Sequence, residues 1–492
     1  MGDDSAFRAS GARAIWSPNS TAQFVLLRRP FQLPPSSAPA LRPFVLHVSA
    51  QPIPNRVGGP RHGGSLASKL LCAYKVWVNG VPVGAGPGRP TGVNSTRENP
   101  ALLYDSFDVS ALLRPGSENV VAVESFYWTA AQESFQVGCP AGEGAFCEDG
   151  RATDLDPSNP RDLGGVLCWL DGPSSSTAVL RTGDDGWRVY TDGDRALSVS
   201  HGVTNGEYHM PHEFYDMRHY PHGWRSPEYT VGTASTADPR SSAQWITPTV
   251  TRPFGRMSSK GIPSIRMVTV AAASLRVLPH SSSSPPSGGC YVVDFGAIIQ
   301  GGLNLTIVHG KAGQEVTVFA GEVLYDDGTV KWWEDNLNDT EFRSVWTLAQ
   351  GRQTIMAHEY KEARYWQVCG TGEVPTHENV RGWRVWFPMG LAEAVPTVTG
   401  EVEPAVPSAF DPQVYTSVNS SSEELNSVWE LCRYTLRVVA LDVNTDSNTR
   451  QRDPCNWDSH LQALGQAAIA PAASAPYRRR SLTFLFEPDA RV

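Results

Sequence analysis

Along the first half of the chain, apolar and polar side chains alternate in short runs that stop at turn residues. FVLHVSA (44–50), YKVWVNG (74–80), ENVVAVESFYW (118–128) and WRVYTD (187–192) all follow this period of two. It places one face of a strand against a core and the other toward water. Long insertions at 52–66 and 140–164, rich in Gly, Pro and Ser, read as surface loops. Residues 1–235 are therefore expected to form a first β-sandwich. A second β region covers 236–405, where YVVDFG, LNLTIVHG and EVTVFAGEVL are short strands and GKAG and DDGT are turns. SSSSPPSGG (281–289) is a low-complexity connection.

The period changes near residue 420. Ser421 and Glu424 have the spacing of a capping box, which satisfies the first free N–H groups of a helix. Leu425, Val428, Trp429, Cys432, Leu436 and Val439 then recur at helical spacing and predict one apolar face. A polar stretch, DVNTDSNTRQRDPCNWD (442–458), leads to a second helix expected over 459–470 and ended by Pro471. The fold class is multidomain: two β-sandwiches, then about two helices of an all-helical domain over 406–492.

A chain of 492 residues exceeds one core and fits about three domains. The 44 Gly and 38 Pro favour many turns, in keeping with short strands. Net charge is −9 and no basic cluster is interleaved with aromatics, so nucleic acid is not an expected partner. No apolar run approaches the ~20 residues of a membrane span, and none is expected to contact a membrane. The N-terminal stretch shows no signal peptide, so compartment stays open, as does oligomeric state. The 8 Cys form no CxxC pair. Cys139 and Cys147 could bridge in an oxidising compartment, but free thiols are the expectation. Five sequons, at Asn19, Asn94, Asn304, Asn338 and Asn419, are read as chance matches without a visible signal.

Three stretches are candidates for chemistry. VGAGPGRP (83–90) has the glycines of a nucleotide loop, but Pro87 and Pro90 block the helix such a loop must open, which leaves a glycine-rich turn. HMPHEFYDMRHYPHGW (209–224) gathers His209, His212, His219 and His222 with Glu213 and Asp216. Spacing of i, i+3 suits a metal only on a helix, and its prolines argue for a loop, so packing or sugar contact is preferred and no metal or cofactor is expected. The 15 Trp are compatible with stacking on sugar rings, although most belong in cores. In the polar stretch 442–458, closely spaced carboxylates suit polyol recognition or glycoside hydrolysis. They equally suit a solvated loop whose aspartates pair with Arg450 and Arg452.

With these residues in view, the chain resembles the bacterial-type α-L-rhamnosidases. AYKVWVNGVPVGAGPGRP followed by YDSFDVSALLRPGSENVVAV is similar to their N-terminal sandwich, and HEFYDMRHYPHGW to their Y-D-A-R…GW segment, with Glu213, Asp216 and Arg218 in place. VVDFGAIIQGGLNLTIVHGKAGQEVTVFAGEVLYDDGTV is similar to their second sandwich, with Glu322 at a recurring glutamate. TDSNTRQRDPCNWD is similar to the loop that enters the family's (α/α)6 six-hairpin barrel. The resemblance implies a carbohydrate partner and inverting hydrolysis of terminal α-L-rhamnosyl groups, by an acid and a base ~6.5–9.5 Å apart. It puts sugar-holding aspartates at Asp446 and Asp458, with Arg450, Trp457, Glu213 and Asp216 as further sugar contacts. The family's general acid falls on Gln451 or Arg452, neither of which can donate a proton at a suitable pKa, so Asp453 is the candidate acid. The family's base comes from a later barrel loop beyond Val492. Two helices of a barrel leave apolar faces without their neighbours, which a partner could cover.

Overall fold

The structure is a computed structural model. It describes residues 5–19, 22–35, 43–50, 72–87, 101–126, 164–172, 178–201, 211–231, 244–251, 256–279, 289–332, 342–389, 403–404, 415–445 and 456–486. The expected loops 52–66 and 140–163, and residues 281–288 of the connection, lie outside these.

The first sandwich follows the alternation in the sequence. One sheet runs in the order Thr249–Val250, Ile15–Trp16, Val166–Asp171, Val45–Ala50, Ala101–Asp108 and Arg256–Ser259. Its inward residues Leu46, Val48, Phe107, Cys168 and Leu170 meet Val25, Leu27, Val76, Val121 and Val123 of the facing layer in one core. That layer comprises Phe24–Gln32, Glu118–Phe126, Cys72–Val78 and Val81–Pro87. YKVWVNG ends in a two-residue hairpin at Asn79 (φ 52°) and Gly80 (φ 81°), the left-handed pair that a type I′ turn requires. The Asn79 side chain holds the corner: its amide donates to the Leu112 carbonyl and its Oδ1 accepts the Val120 N–H, both at 2.8 Å.

VGAGPGRP corrects its expectation. Its first five residues belong to the strand Val81–Pro87 rather than to a turn. Glycine is needed there because a Cβ on Gly84 would run into the Phe107 ring.

The facing layer is buried on both sides. Phe24, Leu26, Trp77, Ala122 and Phe126 leave its other face and join a second, larger core. The two sandwiches are therefore fused through a shared sheet. Nor does a cut at 235/236 separate them by pairing. Thr249–Val250 and Arg256–Ser259 pair into the first sheet, whereas Pro211–Asp216 runs parallel to Arg343–Thr347 of the second sandwich.

The second sandwich is built on the 21-residue strand Cys290–Gly310, which pairs successively with Lys361–Cys369, Gly351–Met356 and Val380–Trp386. Its register shifts between Asp294 and Ile299, where the strand turns a corner. Cys290 and Cys369 lie opposite each other, Cα atoms 4.3 Å apart, and are joined as a disulfide. This overturns the expectation of free thiols for that pair. Cys139 and Cys147 lie outside the described residues.

Three helices follow: Glu423–Val438, Asn456–Ile469 and Ala475–Phe486. Among the described residues no helix is long and apolar enough to cross a membrane. The first is capped one residue later than its sequence suggests, since the Ser422 hydroxyl, not that of Ser421, accepts the Leu425 N–H at 3.3 Å. With Ser422 as cap, Leu425 takes the position a box glutamate would need. The second begins three residues earlier than expected, so Trp457 and Asp458 are helical. The third was not anticipated, because Pro471 and Pro476 mark a stop in the sequence. Pro476 sits in the first turn, where its missing N–H costs nothing.

The predicted apolar face of the first helix divides. Trp429 and Leu436 pack toward Phe387, Met389, Tyr415, Ile469 and Tyr477, whereas Leu425 and Val428 are more than half exposed and Cys432 is exposed. Two arginines occupy the buried side instead. The Arg437 guanidinium lies 3.6 Å from the centre of the Trp386 ring, and the Arg433 side chain donates to the Thr416 carbonyl. Tyr434 donates to the Ile298 carbonyl at 2.7 Å, fixing the helix on the second sandwich.

Candidate functional site

The polar stretch begins from a buried anchor. Ala440 to Thr445 are all buried, and Asp442 is only 2% exposed. The Asn444 N–H donates to Ser481 Oγ (3.0 Å), and its Oδ1 accepts from Gln466 Nε2 (2.8 Å). Ser459 Oγ donates to the Asn444 carbonyl (3.2 Å), and Gln462 Nε2 donates to the Thr445 carbonyl. Groups from the second and third helices thus hold the chain as it enters the loop. At the loop's far end the second helix starts at Asn456. Both ends are fixed, as a loop presenting side chains in set positions requires.

Of the predicted loop residues, Trp457 and Asp458 are described. Trp457 is 76% exposed, and Asp458 is half-buried in the first helical turn, where the positive end of the helix dipole favours a carboxylate. An exposed indole supplies a flat apolar face, and the carboxylate one position on supplies hydrogen-bond acceptors. Asp446, Arg450, Gln451, Arg452 and Asp453 lie outside the described residues.

Glu213 and Asp216 are not brought to this loop. HEFYD is the strand Pro211–Asp216 followed by a short turn of 3₁₀ helix, rather than the expected loop. Glu213 is 1% exposed, and its Oε1 accepts the backbone N–H groups of His358 and Glu359 at 3.0 Å and the Tyr215 hydroxyl at 3.2 Å. It ties the strand to the segment 357–360 and presents no surface to a sugar. Asp216 caps the turn by accepting the Arg218 N–H and forms a two-point pair with the Arg218 guanidinium. That hydrogen bonding holds the Asp216 carboxyl below the usual carboxylate range.

The histidines of this segment scatter. His219 lies near Asp192, His222 contacts the Met217 carbonyl, His212 is buried, and His209 is outside the described residues. Among the described residues no group of three or more His, Cys, Asp or Glu is placed to hold a metal ion.

Beside Glu213 lies a buried charge network that the sequence did not reveal. Glu124 accepts from His358 Nδ1 (2.8 Å) and from Arg225 (3.0 Å), and the Arg225 guanidinium stacks 3.8 Å from the centre of the Trp77 ring. Burial alone would raise the Glu124 carboxyl, but the His358 hydrogen bond and the charges of Arg225 and Lys75 outweigh it and bring it down to about 2. Glu124 is 101 positions from Arg225 and 234 from His358, so no local motif could announce the network.

Residues 286–386 match the family model described as the bacterial alpha-L-rhamnosidase concanavalin-like domain. That part of the chain, about a fifth of its length, is similar to the bacterial-type α-L-rhamnosidases. Solved rhamnosidases share its fold. The enzyme of Dictyoglumus thermophilum aligns with TM-score 0.56 at 17% identity, over 99% of this chain and 45% of its own. That of Streptomyces avermitilis, solved in complex with L-rhamnose, aligns with TM-score 0.54 at 22% identity, over 94% of this chain and 35% of its own. The GH78-family rhamnosidase of Bacillus sp. GL1 gives 0.55 at 13% identity, over 94% and 61%. The chain thus spans less than two thirds of these rhamnosidases. No curated protein matches it by sequence.

Proposed function

We propose that this chain supplies the β-sandwiches and first helices of an α-L-rhamnosidase-type glycoside hydrolase, which removes terminal α-L-rhamnosyl groups with inversion. The observation that carries this reading is the collinear arrangement. A rhamnosidase concanavalin-like domain at 286–386 is followed, after the first helix, by the polar stretch held at both ends. In this reading the three helices open an (α/α)6 barrel, and 446–458 is its sugar-facing rim. Asp446, Asp458 and Arg450 orient the sugar hydroxyls, Trp457 stacks on the ring, and Asp453 is the candidate acid in place of Gln451 and Arg452. Glu213 and Asp216, given their partners, hold the framework rather than the sugar.

The test is kinetic, on the protein as isolated from its source. Asp446→Asn and Asp458→Asn should each lower kcat/KM on an aryl α-L-rhamnoside by at least tenfold, a loss of about 1.4 kcal/mol. The first-formed sugar should be the β-anomer by NMR. Unchanged kinetics in both variants, or the α-anomer first, would overturn the assignment.

Gln451 and Arg452 favour a second reading, a carbohydrate-binding protein without turnover. General acid–base help is worth ~10²–10⁴-fold, and neither residue supplies it. This reading expects saturable heat on titration with L-rhamnose and no sugar released from any aryl glycoside.

A further inference from the structure

Cys290 and Cys369 are the facing ends of two strands of the second sandwich, joined across 79 positions of sequence. They are only 6% and 2% exposed, packed with Leu278, Val292 and Val330. Thiols are kept reduced in a typical cytosol, whereas disulfides form and persist in oxidising compartments. Once made, this bond is protected by its burial, because exchange needs a thiolate to reach one of the sulfurs.

An oxidising compartment changes the meaning of the sequons. Asn94 and Asn338 lie outside the described residues. Asn304 is half-buried in the long strand, flanked by Met356 on one side and Arg381 on the other, and the hydroxyl of its Thr306 is bonded to Thr354. Asn19 is exposed, but Thr21 of its sequon is outside the described residues. Asn419 differs from all of these: it and Ser421 are both exposed, on the extended segment that leads into the Ser422 cap. A sequon serves as an acceptor when it lies on the surface of a secreted chain.

We infer that the chain matures in an oxidising, secretory-type compartment and carries an N-linked glycan on Asn419. The two cysteine thiols give up two protons and two electrons to an oxidised dithiol carrier as the S–S bond forms. Asn419 Nδ2 loses a proton and bonds to C1 of an oligosaccharide, while the lipid pyrophosphate that carried the sugar departs. Neither step depends on the rhamnosidase activity.

The experiment uses protein isolated from its source without reductant. Free thiols are blocked with iodoacetamide in denaturant, and a portion is treated with peptide N-glycosidase in heavy-oxygen water before peptide mass spectrometry. The expected result is a linked Cys290–Cys369 peptide pair and heavy-labelled Asp in place of Asn419, with Asn304 unlabelled. Carbamidomethylated Cys290 and Cys369 in the unreduced digest would overturn the compartment. A linked pair with unlabelled Asn419 would overturn the glycan.

Discussion

The fused sandwiches and the C-terminal helices treat their apolar residues in opposite ways. In the sandwiches Trp16, Trp169, Trp187, Trp224 and Trp383 are all fully buried. On the helices Leu425, Val428, Leu431, Trp457, Leu461 and Leu464 are all more than half exposed. A strand places alternate residues on one face, so two sheets facing each other close a core with what they carry. A helix of a bundle carries a broader apolar stripe, and one neighbour covers only part of it. Trp429 and Leu436 are covered by the second sandwich's flank and the other helices, while the rest of the stripe faces solvent. The sandwiches bury their largest aromatics, and the helices expose much of their apolar stripe.

Substitutions can break that comparison, beginning where the largest change is expected. Trp383→Ala, which empties the centre of the second core and removes the ring under Lys75, should lower unfolding free energy by about 3–5 kcal/mol in a denaturant titration. A loss under ~1 kcal/mol would mean that this core is looser than its packing.

The Glu124 network should make the shared layer sensitive to acid. Its folded carboxyl titrates at about 2 against an ordinary 4.5, so the stabilisation is fully present above the unfolded value and is lost as pH falls through the folded one. Between about pH 5 and pH 2 the chain should lose roughly 3 kcal/mol through this group. In Glu124→Gln that part of the pH dependence should disappear from the stability curve.

Ser422→Ala removes the cap of the first helix and should cost ~1 kcal/mol, whereas Ser421→Ala should cost little. This pair sharpens the one-residue difference between the spacing in the sequence and the observed cap. The smallest effect is expected at the bare stripe. Leu461→Lys and Leu464→Lys should each change stability by less than ~0.5 kcal/mol, measured on the chain alone. A loss of several kcal/mol at either would show that the face is covered in solution and would undo the contrast.

Much of the fold was legible. The strands at 44–50, 74–80 and 118–128 appear within two residues of their alternation, because period two and turn residues are local properties. Of the candidate site, Trp457 and Asp458 were legible as a pair but not as the first turn of a helix. Asn444, Ser459, Gln462, Gln466 and Ser481, which pin the loop, were missed because uncharged polar residues read the same in a solvated loop as in a buried network. Their only signal was Gln462 and Gln466, four apart on one helix face.

The sequence by itself determined the strands near 44–50, 74–80 and 118–128, the first two helices to within a few residues, the Asn79–Gly80 corner and the polar character of 442–458. All of these follow from neighbours within a few residues. Only the tertiary structure decided that one sheet serves two cores and that Cys290 meets Cys369. It also decided that Glu213 is a buried tie rather than a sugar contact, and that Arg437 rather than Leu425 faces the sandwich. Each of these depends on which distant groups satisfy a buried charge or fill a space, and that is a property of the packed chain.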